Sequence, residues 1–226
     1  MRLGIFGGAF DPIHLGHLDA ADAALRGMGL DQVLFVPTHV PPHRGAPRAS
    51  SYHRFAMAAL AILPYQSFVL SDMELRRTEP SYTAVTLRRL HARGLLPSQL
   101  FFITGVDAFA EIATWYDYPA VLDASHFVVV SRPGYRPEDL GTRLPELLGR
   151  FVDAGAAAPA GAARPGTAIH VLRAETKDVS STEVRRRLAA GEALDDLVPG
   201  TVAVYAHRHR LYVAAPDAAG QLHDQD

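Results

Sequence analysis

Two short segments of this 226-residue chain carry residue types that together can grip phosphate. The first runs Gly7-Gly8-Ala9-Phe10-Asp11-Pro12-Ile13-His14-Leu15-Gly16-His17. Its glycines let the backbone approach a ligand and turn N–H groups, on through Ala9 and Phe10, towards an anion. A helix beginning just beyond adds the positive end of its dipole. His14 and His17 stand three residues apart, so in a helical first turn they share a face and point at one phosphate group. The string is neither the dinucleotide fingerprint GxGxxG nor a Walker loop, because no Gly-Lys-Ser/Thr follows. Alone, Gly-Gly also reads as an ordinary turn, and HxxH as a zinc pair that lacks a third ligand in recognisable spacing. The second segment is Asp178-Val179-Ser180-Ser181-Thr182-Glu183-Val184-Arg185. Ser180 and Glu183 have capping-box spacing, which by itself marks only a helix start. Ser181 and Thr182 add hydroxyls and N–H groups at that helix's positive end, and Arg185, one turn on, can fork onto phosphate oxygens. Arg186 and Arg187 are expected in solvent.

Such groups need a scaffold that brings both segments to one edge. Apolar runs at Arg2–Phe6, Gln32–Val36, Phe68–Leu70, Leu100–Thr104, Phe127–Ser131 and Ala168–Leu172 read as strands. Helical patterns at Leu15–Met28, Tyr52–Leu63, Tyr82–Arg93 and Ser181–Ala190 separate several of them. Continuous apolar strands alternating with helices predict an α/β fold: an open, doubly wound parallel sheet of about five or six strands, with helices on both faces. Ligands on such sheets bind beyond the C-terminal ends of the strands, here just after Phe6, Thr104 and Leu172. The fold is expected as one domain over 1–212, its C-terminal helical part starting near residue 180. The Ala/Gly/Pro stretch Ala154–Gly166 is expected as a mobile loop, and 213–226 as a disordered tail.

The composition narrows the class. Basic residues number 22 and acidic residues 24, for a net charge of −2, which argues against nucleic acid or an anionic membrane as the main partner. There is no cysteine, so thiol catalysis, disulfide scaffolds and Cys-ligated metals are excluded. The N-terminus does not read as a signal peptide and no run suits a membrane span, so the expected location is the cytoplasm. Assembly into a homo-oligomer is left open.

Taken whole, the two segments resemble the HxGH signature and the SSTxxR element of the nucleotidyltransferase α/β-phosphodiesterase superfamily. Further stretches narrow the likeness. Pro41-Pro42-His43-Arg44 resembles the PPHK segment of bacterial nicotinate-nucleotide adenylyltransferases, and Pro80-Ser81-Tyr82-Thr83 their SYT segment. Gly105-Val106-Asp107 with Trp115-Tyr116 resembles their GxD…W arrangement, and Ser131-Arg132-Pro133-Gly134-Tyr135 their RPGY element. The resemblance runs from about Leu3 to Tyr212. It implies transfer of the adenylyl group of ATP to nicotinate mononucleotide, giving deamido-NAD and pyrophosphate in NAD biosynthesis, with Mg²⁺ held mainly by the phosphates. It assigns His14, His17 and Arg185 to the reacting phosphate. ATP falls to Gly7, Gly8, Ala9, Phe10, Arg44, Gly105, Asp107, Ser180, Ser181 and Thr182, and the mononucleotide to Thr83, Trp115, Tyr116 and Arg132. The chemistry suits these types. The indole of Trp115 can stack on a pyridinium, with a cation–π contribution of about 0.5–2 kcal/mol, although a core aromatic reads equally well. Asp107 can accept from ribose hydroxyls or cap a helix. The implied reaction is a single in-line displacement at the α-phosphorus. Its nucleophile is already an anion, so the histidines serve as donors rather than as bases. Two positions depart from the family pattern. Ala9 stands where Thr or Ser is usual, and Arg44 where Lys is usual, which keeps the charge but changes its geometry. Nicotinamide-mononucleotide and pantetheine-phosphate transfer, or a non-catalytic nucleotide sensor of the same fold, remain as alternatives.

Overall fold

The computed structural model describes residues 1–41, 45–77, 79–131, 137–153 and 166–213. Among these, the strands are β1 (Leu3–Gly8), β2 (Gln32–Pro37), β3 (Phe68–Leu70), β4 (Leu100–Gly105), β5 (His126–Val130), β6 (Phe151–Asp153) and β7 (Ile169–Leu172). The α-helices are α1 (Leu15–Gly27), α2 (Ser51–Ile62), α3 (Thr83–His91), α4 (Val106–Phe109), α5 (Pro137–Arg143), α6 (Ser181–Ala190) and α7 (Gly200–Arg208). The strands form one sheet in the order β3-β2-β1-β4-β5-β7-β6, every pairing parallel.

Strand periodicity explains the two covered faces. Phe6, Phe101, Ile103, Val128 and Val130 point to one side, where Leu18 and Ala21 of α1, Met57 of α2, Val184 of α6 and Val202 of α7 close a core. Leu3, Ile5, Leu100, Phe102, Phe127 and Val129 point to the other, against Leu87 and Leu90 of α3, Phe109 of α4 and Leu140 of α5. Alternate residues serve opposite cores because successive side chains leave a strand on opposite faces. Each fully buried large apolar side chain contributes about 1.5–3 kcal/mol.

β1 lies between β2 and β4. The chain first builds outward through β2 and β3, then returns across the sheet to β4. That reversal is a topological switch point, and the crevice beyond the ends of β1 and β4 is where such sheets receive ligands. The predicted class therefore holds, while the strand count rises to seven among the described residues. The added strand, β6, is a three-residue edge strand beyond β7. It is too short for a periodicity to register and follows a 3-10 helix, Pro145–Arg150, that is itself too short to show a helical stripe. Residues 154–165 and 214–226, which hold most of the predicted loop and tail, lie outside the described residues. No helix among the described residues is long and apolar enough to cross a membrane.

Away from the switch point, one arginine and two histidines gather around one ring. The Arg2 guanidinium lies 4.6 Å from the Phe101 ring centroid, His126 stacks on the same ring at 4.7 Å, and His170 stands 5.4 Å from His126. Burial, then the charges of His126 and Arg2, depress the His170 pKa from 6.5 to about 4. Burial and Arg2 also lower His126. Below about pH 6.5 the unfolded chain takes up protons that the folded chain refuses until near pH 4. The stability that neutral His170 contributes is thus full above that window and is lost as pH falls through it. The unfolding midpoint in urea is expected to drop between pH 7.5 and 4.5, and to drop less in His170→Leu. Equal drops in the two proteins would remove His170 from the account.

Candidate active site

β1 ends at Gly8, whose carbonyl accepts the Thr38 N–H at 2.9 Å, so β2 holds the end of the strand. The chain then turns through Ala9 and Phe10. Phe10 has φ of +47°, a left-handed conformation uncommon outside glycine. Its ring fixes the turn: it is buried, edge-on to Phe6 at 5.6 Å and to His17 at 5.1 Å. The side chain of Phe10 is therefore committed to the core, and only its backbone is left for a ligand.

His14 is the N-cap of α1. Its N–H donates to Nδ1 of His17 at 3.2 Å. With Nδ1 accepting, the proton of a neutral His17 ring sits on Nε2, which becomes a donor for an anion. The two imidazoles lie 3.6 Å apart, centroid to centroid, with 31° between their planes. The shared face predicted from the spacing is thus a near-stack. Gly16 makes room beside it. A Cβ there would stand 2.9 Å from the Lys177 carbonyl oxygen and 3.3 Å from the His14 ring. Its absence lets the segment leading to the second motif cross the first turn of α1, where Lys177 N–H donates to Asp19 at 2.9 Å.

The two motifs meet directly. Ser181 Oγ donates to the Pro12 carbonyl at 3.0 Å. Arg185 Nη1 donates to the Asp11 carbonyl at 2.7 Å, and Nη2 to Thr182 Oγ1 at 3.1 Å. The first turn of α6, with its N–H groups and one guanidinium, is thereby bound to the loop before His14. Ser180 caps α6 by accepting the Glu183 N–H at 3.2 Å. The Glu183 carboxylate, the other half of the predicted capping box, accepts from Arg186 at 2.9 Å and Arg187 at 3.0 Å. Arg186 is exposed, as expected, whereas Arg187 is half-buried and also donates to the Ala193 carbonyl at 3.2 Å.

On the other face of the sheet, Phe102 links the loop to the aromatic residues. Its ring lies 3.5 Å from where a Gly7 Cβ would be, and meets Trp115 edge-on at 5.9 Å. Trp115 is half-buried and also meets Phe127, so it packs on the core without being enclosed by it. Tyr116 is 49% exposed and stacks on Tyr82 at 4.6 Å. That stack carries the Trp115-Tyr116 turn to the N-terminus of α3, where Thr83 is the first helical residue. Gly105 and the exposed Asp107 lie at the end of β4, beside β1 across the switch point. Arg44 and Arg132 lie outside the described residues.

Comparison with known proteins fits this arrangement. The cytidylyltransferase-like family model matches residues 5–187, which span both motifs. The chain belongs to the cytidylyltransferase-like family. A Cronobacter sakazakii member named "Probable nicotinate-nucleotide adenylyltransferase" is 40% identical over 212 residues, covering 92% of this chain and 94% of its own. One of the same name from Shewanella frigidimarina is 34% identical, covering 94% and 100%. The fold also matches a Plasmodium falciparum nicotinic acid mononucleotide adenylyltransferase solved with NaAD, at a TM-score of 0.67 and 16% identity over 93% of this chain and 97% of that one.

Three residues that sequence reasoning did not single out hold this cytidylyltransferase-like site together. Asp11 is 7% exposed, and its carboxylate accepts from Arg48 N–H at 2.8 Å, Ala49 N–H at 3.1 Å and the Tyr212 hydroxyl at 2.7 Å. Arg54, 1% exposed, donates to the carbonyls of Ala49 at 3.2 Å, Ala9 at 2.5 Å and Thr38 at 2.6 Å. Burial pulls the Arg54 pKa down, and the Asp11 charge pulls it back up. The Arg54 guanidinium is thus spent on backbone carbonyls, while Arg185 is the cation 3.9 Å from the Asp11 carboxylate. One signal was available. Arg54 shares the stripe of Met57, Ala58, Ala61 and Ile62 on α2. A charge on an apolar stripe is costly unless paired, and so marks a built network.

Proposed function

We propose that this chain transfers the adenylyl group of ATP to nicotinate mononucleotide, forming deamido-NAD and releasing pyrophosphate. The observation that carries this reading is the joining of Arg185 and Ser181 to the Asp11-Pro12 backbone beside His14 and His17. The two relatives 40% and 34% identical along almost the whole chain, each named "Probable nicotinate-nucleotide adenylyltransferase", support the choice of acceptor.

In this reading the triphosphate sits over the Gly7–Phe10 backbone and the first turn of α6. The mononucleotide phosphate attacks the α-phosphorus, and pyrophosphate leaves on the opposite side. His17 Nε2, His14 and Arg185 donate to the oxygens on which charge grows, and no group has to take a proton. No group of three or more His, Asp or Glu converges as metal ligands among the described residues, and both Asp11 oxygens already accept donors. Mg²⁺, if bound with ATP, would be held mainly by phosphate oxygens and water and would neutralise charge on the triphosphate. The pyridine ring lies on the Trp115 side of the sheet edge, its carboxylate at the N–H groups of Thr83 and Tyr116.

Identification of the product tests the reaction: ATP and nicotinate mononucleotide should yield deamido-NAD, and a mixture left unchanged by folded protein would overturn it. Trp115→Ala tests the pyridine site. It is expected to raise the KM for nicotinate mononucleotide about tenfold, between the exposed and desolvated limits of a cation–π contact, while the KM for ATP moves by less than about twofold. Equal losses for both substrates would make Trp115 a core residue only.

A further inference from the structure

The last described turn of the chain is held in an unusual backbone conformation, and its tip lands on the phosphate site. α7 closes with Leu211 N–H bonded to the Ala206 carbonyl at 2.9 Å and Arg210 N–H to the His207 carbonyl at 3.1 Å. That pattern normally places glycine at its left-handed position, as Gly191 does after α6 with φ of +69°. Here Arg210 takes the position with φ of +49°, and Tyr212, two residues on, has φ of +68°. Two left-handed non-glycine residues persist only where surrounding contacts over-determine them. Leu211 packs against the core of α1, α2, α6 and α7. Tyr212 spends its hydroxyl on Asp11 Oδ1 at 2.7 Å.

The consequence concerns Arg185. Its Nη1 lies 3.9 Å from Asp11 Oδ2 while it donates to the Asp11 backbone carbonyl. A carboxylate short of donors at that distance competes with phosphate for the guanidinium. Asp11 is instead supplied by two amides and one phenol. Burial and the neighbouring carboxylate both raise the Tyr212 pKa, so the phenol stays a donor. We propose that Tyr212 is a positioning residue for adenylyl transfer: its hydroxyl adds a third donor to the Asp11 carboxylate, drawing charge towards Oδ1 and so weakening the hold of Oδ2 on Arg185. The inference rests on the function proposed above and adds a role for the C-terminal turn.

Tyr212→Phe removes the hydroxyl and keeps the ring. Its kcat for pyrophosphate release from ATP and nicotinate mononucleotide is expected to fall about tenfold, the range for one hydrogen bond to a charged group, with KM for the mononucleotide unchanged within about twofold. ATP binding by calorimetry should weaken about fivefold, a readout that holds for any acceptor. In an Asp11→Asn background, itself slower, the same change should have less than about a twofold effect, because a neutral amide does not compete for Arg185. A Tyr212→Phe protein with wild-type kcat and ATP affinity would overturn the proposal, as would an equal loss in both backgrounds. Wild-type protein inactive with nicotinate mononucleotide would instead overturn the acceptor reading, and the calorimetry would still decide the role of Tyr212.

Discussion

His17→Ala is expected to lower turnover by about 10²–10³, the loss found when one preorganised donor to a developing oxyanion is removed. The size follows from how firmly this donor is aimed. The His14 N–H holds Nδ1, and the rings of Phe10 and His14 both pack against the imidazole. A ring so held needs no reorganisation as charge builds on the α-phosphate. The measurement is kcat for pyrophosphate release at saturating ATP and nicotinate mononucleotide, with thermal unfolding to show that the variant folds. A folded variant within about threefold of wild type would deny His17 this role, since one lost oxyanion donor costs far more.

Arg54→Met is expected to be the most destabilising single change in the site. It leaves the Ala9, Thr38 and Ala49 carbonyls without this donor and removes a buried positive charge. Breaking a buried charge network from one side costs about 3–5 kcal/mol, and methionine recovers only part of the packing. Urea unfolding measures the loss directly. Turnover should fall with it, because the Ala9 carbonyl is what binds the phosphate loop to α2. A loss below about 1 kcal/mol would mean that Arg54 fills space rather than fixes the loop.

The contrast between His17 and Arg54 marks what the sequence makes legible. The candidate phosphate loop stood out because its residues are adjacent: Gly7 to His17 joins the end of β1 to the start of α1. The sheet could be read because Phe101 to Ile103 and Phe127 to Val130 are continuous apolar runs that only a strand covered on both faces explains. Arg54 acts through carbonyls on three separate stretches, at Ala9, Thr38 and Ala49, and no spacing rule encodes such a reach. Asp11 stands inside the recognised string, but its role depends on the amides of Arg48 and Ala49, 37 and 38 positions away. Tyr212 marked only the end of the resemblance, because its partner lies 201 positions earlier. Trp115 sits where both of its readings meet, on the core and near the crevice, which is why its residue type could not separate them.

The central claim is that one cradle, made from the two joined motifs, transfers adenylate to an acid-bearing pyridine nucleotide. Pyrophosphate release from ATP and Mg²⁺, measured in parallel with nicotinate mononucleotide, nicotinamide mononucleotide and phosphopantetheine, tests it most directly. The account predicts release with the acid at least about a hundredfold above the amide in kcat/KM, since the amide sets an NH₂ donor against the donors at Thr83 and Tyr116. Preference for the amide or for phosphopantetheine, or no release with any of the three from folded protein that binds ATP, would contradict it.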